Sequence, residues 1–238
     1  MPNPTAAMLV IGDEILSGRT RDANMYHLAG RLTEHGVDLR EVRVVADDRA
    51  QIVAAIKALR AAFDHLFTSG GIGPTHDDIT ADCVAEAFGV GIDVRDDAKA
   101  LLVRNYPEGE AALTPARLRM ARIPDGATLI ENPVSKAPGF TLENVHVMAG
   151  VPAIFESMVA SVLPSLTGGA PLKSESVRID KGESNVAEAL GKIAHAYPQV
   201  SIGSYPFQRE GRFGTNIVLR SADTDALDAA TNEVRALV

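Results

Sequence analysis

"DHLFTSGGIGPTHDDITADCVAEAFG", residues 64–89, joins a short apolar run to a glycine-rich loop and then to an amphipathic run. The first part reads as a strand, and the last, closed by Gly89, reads as a helix. A strand that reaches a helix through such a loop is the repeating unit of layered α/β folds. The same alternation extends upstream. "AMLVIG" (7–12) is a buried strand, "DEILSGRTRDAN" (13–24) a polar loop, and "ANMYHLAGRLTEHG" (23–36) a helix closed by Gly36. "VDLREVRVVAD" (37–47) alternates as a strand, and "DRAQIVAAIKALRAAF" (48–63) carries Ile52, Ala55, Ile56 and Leu59 on one helical face.

Strands and helices alternating at this spacing predict parallel pairing, and ligands of such sheets bind beyond the carboxyl ends of the strands. The polar loops 12–24 and 69–80 both follow apolar strands, so both are expected on one edge of the sheet. Residues 93–122 read as helical, broken at Pro107 and within "LTPARLRMARIP" (113–124). "GATLIENPVSKAPGFTLENVHVMAGVPAIFESM" (126–158) reads as strand, loop, strand, loop, helix, and "LPSLTGGAPLKSES" (163–176) as a linker. Beyond it the order is β-α-β-β-α. The expected architecture is a three-layer, mostly parallel α/β domain over 1–168, followed by a small α+β domain over 169–238.

A hydrophobic share of 46% with 23% charged residues is that of a folded globular chain. A net charge of −8 with no Lys/Arg run argues against nucleic acid as the main ligand. The apolar "AAMLVIG" is too short for a membrane span or a signal peptide, so no membrane partner is expected. One cysteine, Cys83, leaves no disulfide framework and no cysteine-rich zinc site, and is most simply a core residue. A cytosolic protein is expected.

The glycine loop exposes main-chain N–H groups at a helix start, a natural cradle for phosphate. Gly70, Gly71, Gly73 and Pro74 would shape it, with Thr68, Ser69 and Thr75 as hydroxyl donors. The match is neither a Walker A loop nor G-x-G-x-x-G, and a tight turn with an aspartate N-cap is the plain alternative. Two carboxylates, Asp77 and Asp78, stand beside this cradle. Phosphate and carboxylates repel unless a cation lies between them, and Mg²⁺ commonly joins one or two carboxylates to substrate phosphates. The first loop adds Asp13, Glu14, Asp22 and Asn24, with Ser17, Gly18, Arg19 and Thr20 as phosphate or ribose contacts. Asp47 is able to face the same edge, while Asp48 reads as a helix cap. Lys136 is a phosphate candidate, Glu156 a weaker acidic one, and His76 reads as solvated.

These segments resemble the amino-terminal region of the CinA competence/damage-inducible family, within the molybdopterin-binding (MoCF) superfamily. "GDEILSGRTRDAN", "TSGGIGPTHDDIT", "NPVSKAPGF" and "GVPAIFESM" occur in the family's order over about residues 5–165. More loosely, the carboxy-terminal unit is similar to the KH-like domain that follows in that family. It lacks a G-x-x-G clamp with basic flanks, so RNA is not an expected partner.

The resemblance implies cleavage of a nucleotide pyrophosphate such as ADP-ribose or FAD. It implies a divalent metal, Mg²⁺ or Co²⁺, with K⁺ as a further ion and a homo-oligomeric assembly. Asp13, Asp77 and Asp78 would then be the metal-binding and catalytic carboxylates. The alternative it implies is molybdopterin binding or adenylyl transfer to molybdopterin. Full-length CinA proteins also carry a deamidase domain, which this sequence ends before, so that activity is not expected of it. Two departures stand out: "NPVSKAPGF" where relatives commonly read NPxGxAPGF, and "MAGVPAIFE", with Met148–Ala149, where they commonly read LPGVPxE.

Overall fold

A computed structural model describes residues 3–209 and 212–238. The chain forms two compact units, Met1–Gly169 and Ala170–Val238.

The first unit opens with Thr5–Ile11 (β1), the one-turn helix Asp13–Leu16 (α1), Asn24–His35 (α2), Asp38–Val45 (β2), Arg49–Ala62 (α3), His65–Ser69 (β3) and Thr80–Phe88 (α4). It continues through Ile92–Val94 (β4), Asp96–Val103 (α5), Pro115–Leu118 (α6), Arg122–Pro124 (β5), Thr128–Ile130 (β6), Gly139–Leu142 (β7), Val145–Met148 (β8) and Pro152–Val162 (α7). Six strands make one sheet in the order β2-β1-β3-β8-β7-β6. The four from β2 to β8 are parallel, and β7 runs antiparallel to both neighbours.

β1 shows why the sheet is covered twice. Ala7, Leu9 and Ile11 pack with Ile52, Ile56 and Leu59 of α3 and Cys83 and Val84 of α4. Ala6, Met8 and Val10 pack with Leu28 and Leu32 of α2 and Phe155, Met158 and Val159 of α7. A strand buried on both faces needs a continuous apolar run, which "AAMLVI" supplies. The helices α2 and α4 end on left-handed Gly36 and Gly89, and Asp48 caps α3 by accepting from Gln51 N–H at 2.9 Å.

The expected loop 13–24 contains the short α1. The expected single strand within 139–148 is a hairpin, β7 and β8, turning at Glu143–Asn144; Glu143 takes φ 50 there without being glycine. The expected helical stretch 93–122 is α5, α6, two 3₁₀ turns and a two-stranded ribbon of β4 with β5.

The second unit holds Lys173–Ile179 (β9), Glu183–Ala196 (α8), Ser201–Arg209 (β10), Arg212–Ser221 (β11) and Thr224–Arg235 (α9). β9 therefore starts inside the expected linker. The strands form an antiparallel sheet ordered β10-β11-β9, and Val177, Ile179, Ile217 and Leu219 pack against Leu190, Ile193, Leu227 and Val234 of the two helices. Among the described residues, no helix is long and apolar enough to cross a membrane.

Candidate functional site

Because β1 and β3 are parallel neighbours, Gly12 and Gly70 follow their carboxyl ends on the same edge of the sheet, as the sequence predicts. Between these loops and the β8–α7 junction lies a cavity of about 640 Å³, a volume that suits a small organic ligand. Its wall includes Gly12, Glu14, Thr20, Asp47, Gly70–Pro74, Asp77, Asp78 and Gly150–Pro152.

The glycine turn is built by exclusion. Gly70 has φ +105, and a Cβ there would lie 2.3 Å from Ile11 O; Gly71 has φ +68, and a Cβ would lie 2.1 Å from Thr80 Oγ1. Only glycine fits both positions. Gly70 N–H donates to Met148 O at 3.1 Å, and Thr80 closes the turn by donating from its N–H to Gly71 O and from its hydroxyl to Gly70 O, both at 3.0 Å. Gly70 N–H is thus spent on the fold. The N–H groups of Gly71, Ile72 and Gly73 have no acceptor among the described residues and remain available to an anion.

The hydroxyls expected on phosphate belong to the scaffold. Thr68 is fully buried with its Oγ1 unpartnered, and it does not line the cavity. Ser69 Oγ accepts from Asn24 Nδ2 at 2.8 Å. Thr75 donates to Asp78 Oδ2 from both its N–H (2.8 Å) and its hydroxyl (2.5 Å). Asn24 is buried at the start of α2, where it also donates to Gly150 O at 2.7 Å. It ties three loops together and lines a smaller pocket with Thr20, Arg21, Asp22 and Ser69.

The carboxylates divide by role. Asp78 fastens the turn: its Oδ2 holds Thr75, and its main-chain carbonyl accepts from Arg119 Nη2 at 2.9 Å. Asp77 is open to solvent. Its carboxyl is held below the ordinary range chiefly by the Thr75 hydroxyl beside it, although that hydroxyl's hydrogen bond goes to Asp78; its own main-chain N–H comes next, and His76 and Arg119 add attraction. Asp47 is pushed up by loss of hydration and by the negative charges of Asp13, Glu14 and Asp77, against a hydrogen bond from Asp13 N–H at 2.9 Å that favours its ionised form.

Asp13 itself is exposed, and Glu14 and Asp47 take the places on the wall. No three His, Cys, Asp or Glu side chains among the described residues form a ready-made cation cluster. The donor set of hard oxygens, with like charges crowding Asp47, still suits a divalent ion whose shell is completed by substrate phosphate and water.

Ser17, Gly18 and Arg19 are exposed at the end of α1 and do not line the cavity. Lys136 turns its ammonium back to Pro133 O at 2.7 Å. Its loop is organised by buried Asn132, whose Oδ1 accepts from Val134 and Ser135 N–H and whose Nδ2 donates to Ser135 Oγ and Ala137 O. Asn132, Ser135 and Ala137 reach the wall instead. Asn132 carries one local sequence signal, an Asn before Pro at a turn, whereas Arg119 and the Asn105–Tyr106 wall carry no local motif.

Residues 7–168 match the family described as "Probable molybdopterin binding domain", about two thirds of the chain. The chain belongs to that family. The crystal structure of CinA from Thermoplasma acidophilum, a protein of unknown function by its own description, is 35% identical. It covers 69% of this chain and 99% of its own, with a TM-score of 0.64. The CinA-like protein of Citrifermentans bemidjiense is 34% identical over 96% of this chain and 57% of its own length. The probable FAD synthase of Caenorhabditis elegans is 31% identical over 98% of this chain, which spans only half of the worm protein. Residues 171–238 match the FAD synthase middle domain. The first unit is therefore CinA-like, and residues 171–238 are similar to the middle domain of FAD synthases.

Proposed function

We propose that the cavity is the active site of a divalent-metal-dependent pyrophosphatase acting on a nucleotide pyrophosphate such as ADP-ribose or FAD. One observation carries this reading: unpaired main-chain N–H groups at Gly71, Ile72 and Gly73 share a wall with Glu14, Asp47 and Asp77. Donors for phosphate oxygens and carboxylates that repel them face one space, and the pairing makes chemical sense when a cation joins the two.

In this reading the glycine turn binds and orients the pyrophosphate, helped by the positive end of α7 at Val151–Pro152. Asp77, ionised and exposed, and Asp47 with Glu14 would hold the metal. When bound, that ion supplies charge neutralisation and activation of water. Asp78 and Asn24 keep the turn and the Gly150 loop in place.

The test is hydrolysis of ADP-ribose and FAD with Mg²⁺ or Co²⁺. Asp77→Ala is expected to lose turnover at unchanged melting temperature, and full turnover in that variant removes the metal-site argument. The family description supports a second reading, molybdopterin binding or its adenylylation by the same loops. Copurified pterin, or ATP-dependent adenylation of molybdopterin without pyrophosphate hydrolysis, would select it.

A further inference from the structure

The carboxylates and the glycine turn account for one part of the cavity. Much of the remaining wall is apolar: Leu102, Tyr106 and Met120 from the 96–121 segment, with Ile154 and Met158 of α7. An inorganic pyrophosphate would leave this wall bare.

Tyr106 is the residue of interest. It follows α5, its N–H donates to Val103 O at 3.0 Å, and its carbonyl accepts from Gly109 N–H at 3.0 Å, so the backbone is fixed on both sides. The Arg117 guanidinium lies over the ring, 4.1 Å from its centroid, and is itself held by Ala112 O at 2.7 Å. The ring is thus clamped before any ligand arrives, and a preorganised aromatic surface loses little entropy on binding. Asn105, beside it on the same wall, supplies both a donor and an acceptor.

We infer that Tyr106 and Asn105 form a subsite for a planar aromatic heterocycle carried on the phosphates, Tyr106 by stacking and Asn105 by hydrogen bonds to the ring edge. This rests on the phosphate placement proposed above and makes the substrate class a heterocycle-bearing phosphate ester, a nucleotide or a pterin phosphate. The Arg117 stack makes Tyr106 the fixed member of the pair. The heterocycle is the one that adjusts.

The experiment compares affinities of the whole chain for inorganic pyrophosphate, ADP, FAD and a pterin phosphate, with Mg²⁺ present. Heterocyclic ligands are expected to bind more tightly than pyrophosphate, and Tyr106→Ala to weaken them about 10- to 100-fold, the range of one base–aromatic stack. Pyrophosphate affinity should not change, and Tyr106→Phe should retain most of the advantage. The ranking of ADP and FAD against the pterin phosphate identifies which source the subsite serves.

The sequence has no tryptophan, so Tyr106→Trp creates a single reporter at the subsite. Its emission should be quenched by FAD and left unchanged by pyrophosphate. Unquenched emission on saturation with FAD, or equal affinity of wild type and Tyr106→Ala for every heterocyclic ligand, overturns the subsite. Pyrophosphate that fails to bind while FAD quenches the reporter would instead overturn the phosphate placement and leave the subsite standing.

Discussion

Asn24 at the head of α2 and Ser69 at the end of β3 are joined across the sheet edge, Nδ2 to Oγ at 2.8 Å, and both side chains are buried. The same amide nitrogen holds Gly150 O at 2.7 Å. One side chain therefore fixes the glycine turn and the loop before α7 to a common point. Asn24→Ala removes both hydrogen bonds of this buried side chain and is expected to cost about 2 to 3 kcal/mol. Asn24→Asp should cost more, because it sets a carboxylate against the Gly150 carbonyl in a buried place. Urea unfolding of the three proteins gives the order, and equal stability of Asn24→Asp and wild type would show that this amide does not join the loops.

Three positive-φ glycines on this edge make different demands. Gly18 has φ +71 with open space around it, whereas a Cβ at Gly70 would strike Ile11 O and one at Gly71 would strike Thr80. Gly18→Ala is expected to cost about 1 kcal/mol, the backbone term alone. Gly70→Ala adds a main-chain collision that no rotamer relieves, for a loss of roughly 3 kcal/mol or more together with loss of anion binding. Thermal melts with and without pyrophosphate separate the two variants. Similar melting points would contradict the contact of Gly70 with Ile11 O.

Much of this edge is legible in the sequence because its signals are local. An apolar run of six residues marks β1, and glycines at 70 and 71 mark a turn that other residues cannot make. The hairpin at Glu143–Asn144 leaves no such mark, since a left-handed residue there is Glu, held by the sheet rather than by its own preference. The 96–121 segment is broken into short pieces from which Ala98, Leu102 and Ala121 are buried in the core, so its periodicity misleads. The acidic residues show the same limit. Asp77 and Asp78 are equivalent as letters, and their division of labour depends on which carboxylate Thr75 reaches. Asp13 and Glu14 likewise share the first turn of α1, yet Asp13 is exposed while Glu14 lines the cavity with Asp47.

That division of the aspartates is testable. Asp78 receives both Thr75 donors, and Asp77 receives neither hydrogen bond. Asp78→Ala should lower stability by about 1 to 2 kcal/mol and weaken pyrophosphate binding through a loosened turn. Asp77→Ala should leave stability within about 0.5 kcal/mol of wild type while abolishing metal-dependent turnover. Denaturant midpoints set beside turnover for the two variants decide the matter. The reverse pattern, with Asp77 structural and Asp78 dispensable to the fold, would refute the assignment.

The other end of the sheet predicts a pH dependence. His146 on β8 is buried, with its Nδ1 at 3.0 Å from Thr141 Oγ1 and its Nε2 at 3.3 Å from His65 Nδ1. Loss of hydration lowers its pKa from 6.5 to about 3, with His65 adding repulsion, and His65 is also lowered, first by its own burial. The native state keeps His146 neutral, whereas the unfolded chain takes up a proton below its ordinary pKa. The unfolded state then binds more protons, so the stability from this residue is complete above the ordinary value of 6.5 and declines as pH falls toward about 3. Each unit of that fall costs up to about 1.4 kcal/mol. The interval down to about pH 5 is the informative one, since carboxylates titrate mostly below it. His146→Gln removes the titrating ring and should flatten the fall of stability between these limits while lowering stability at neutral pH through poorer packing. Urea unfolding at closely spaced pH values measures both effects, and a His146→Gln slope as steep as that of wild type would mean that the imidazole is protonated without penalty inside the fold.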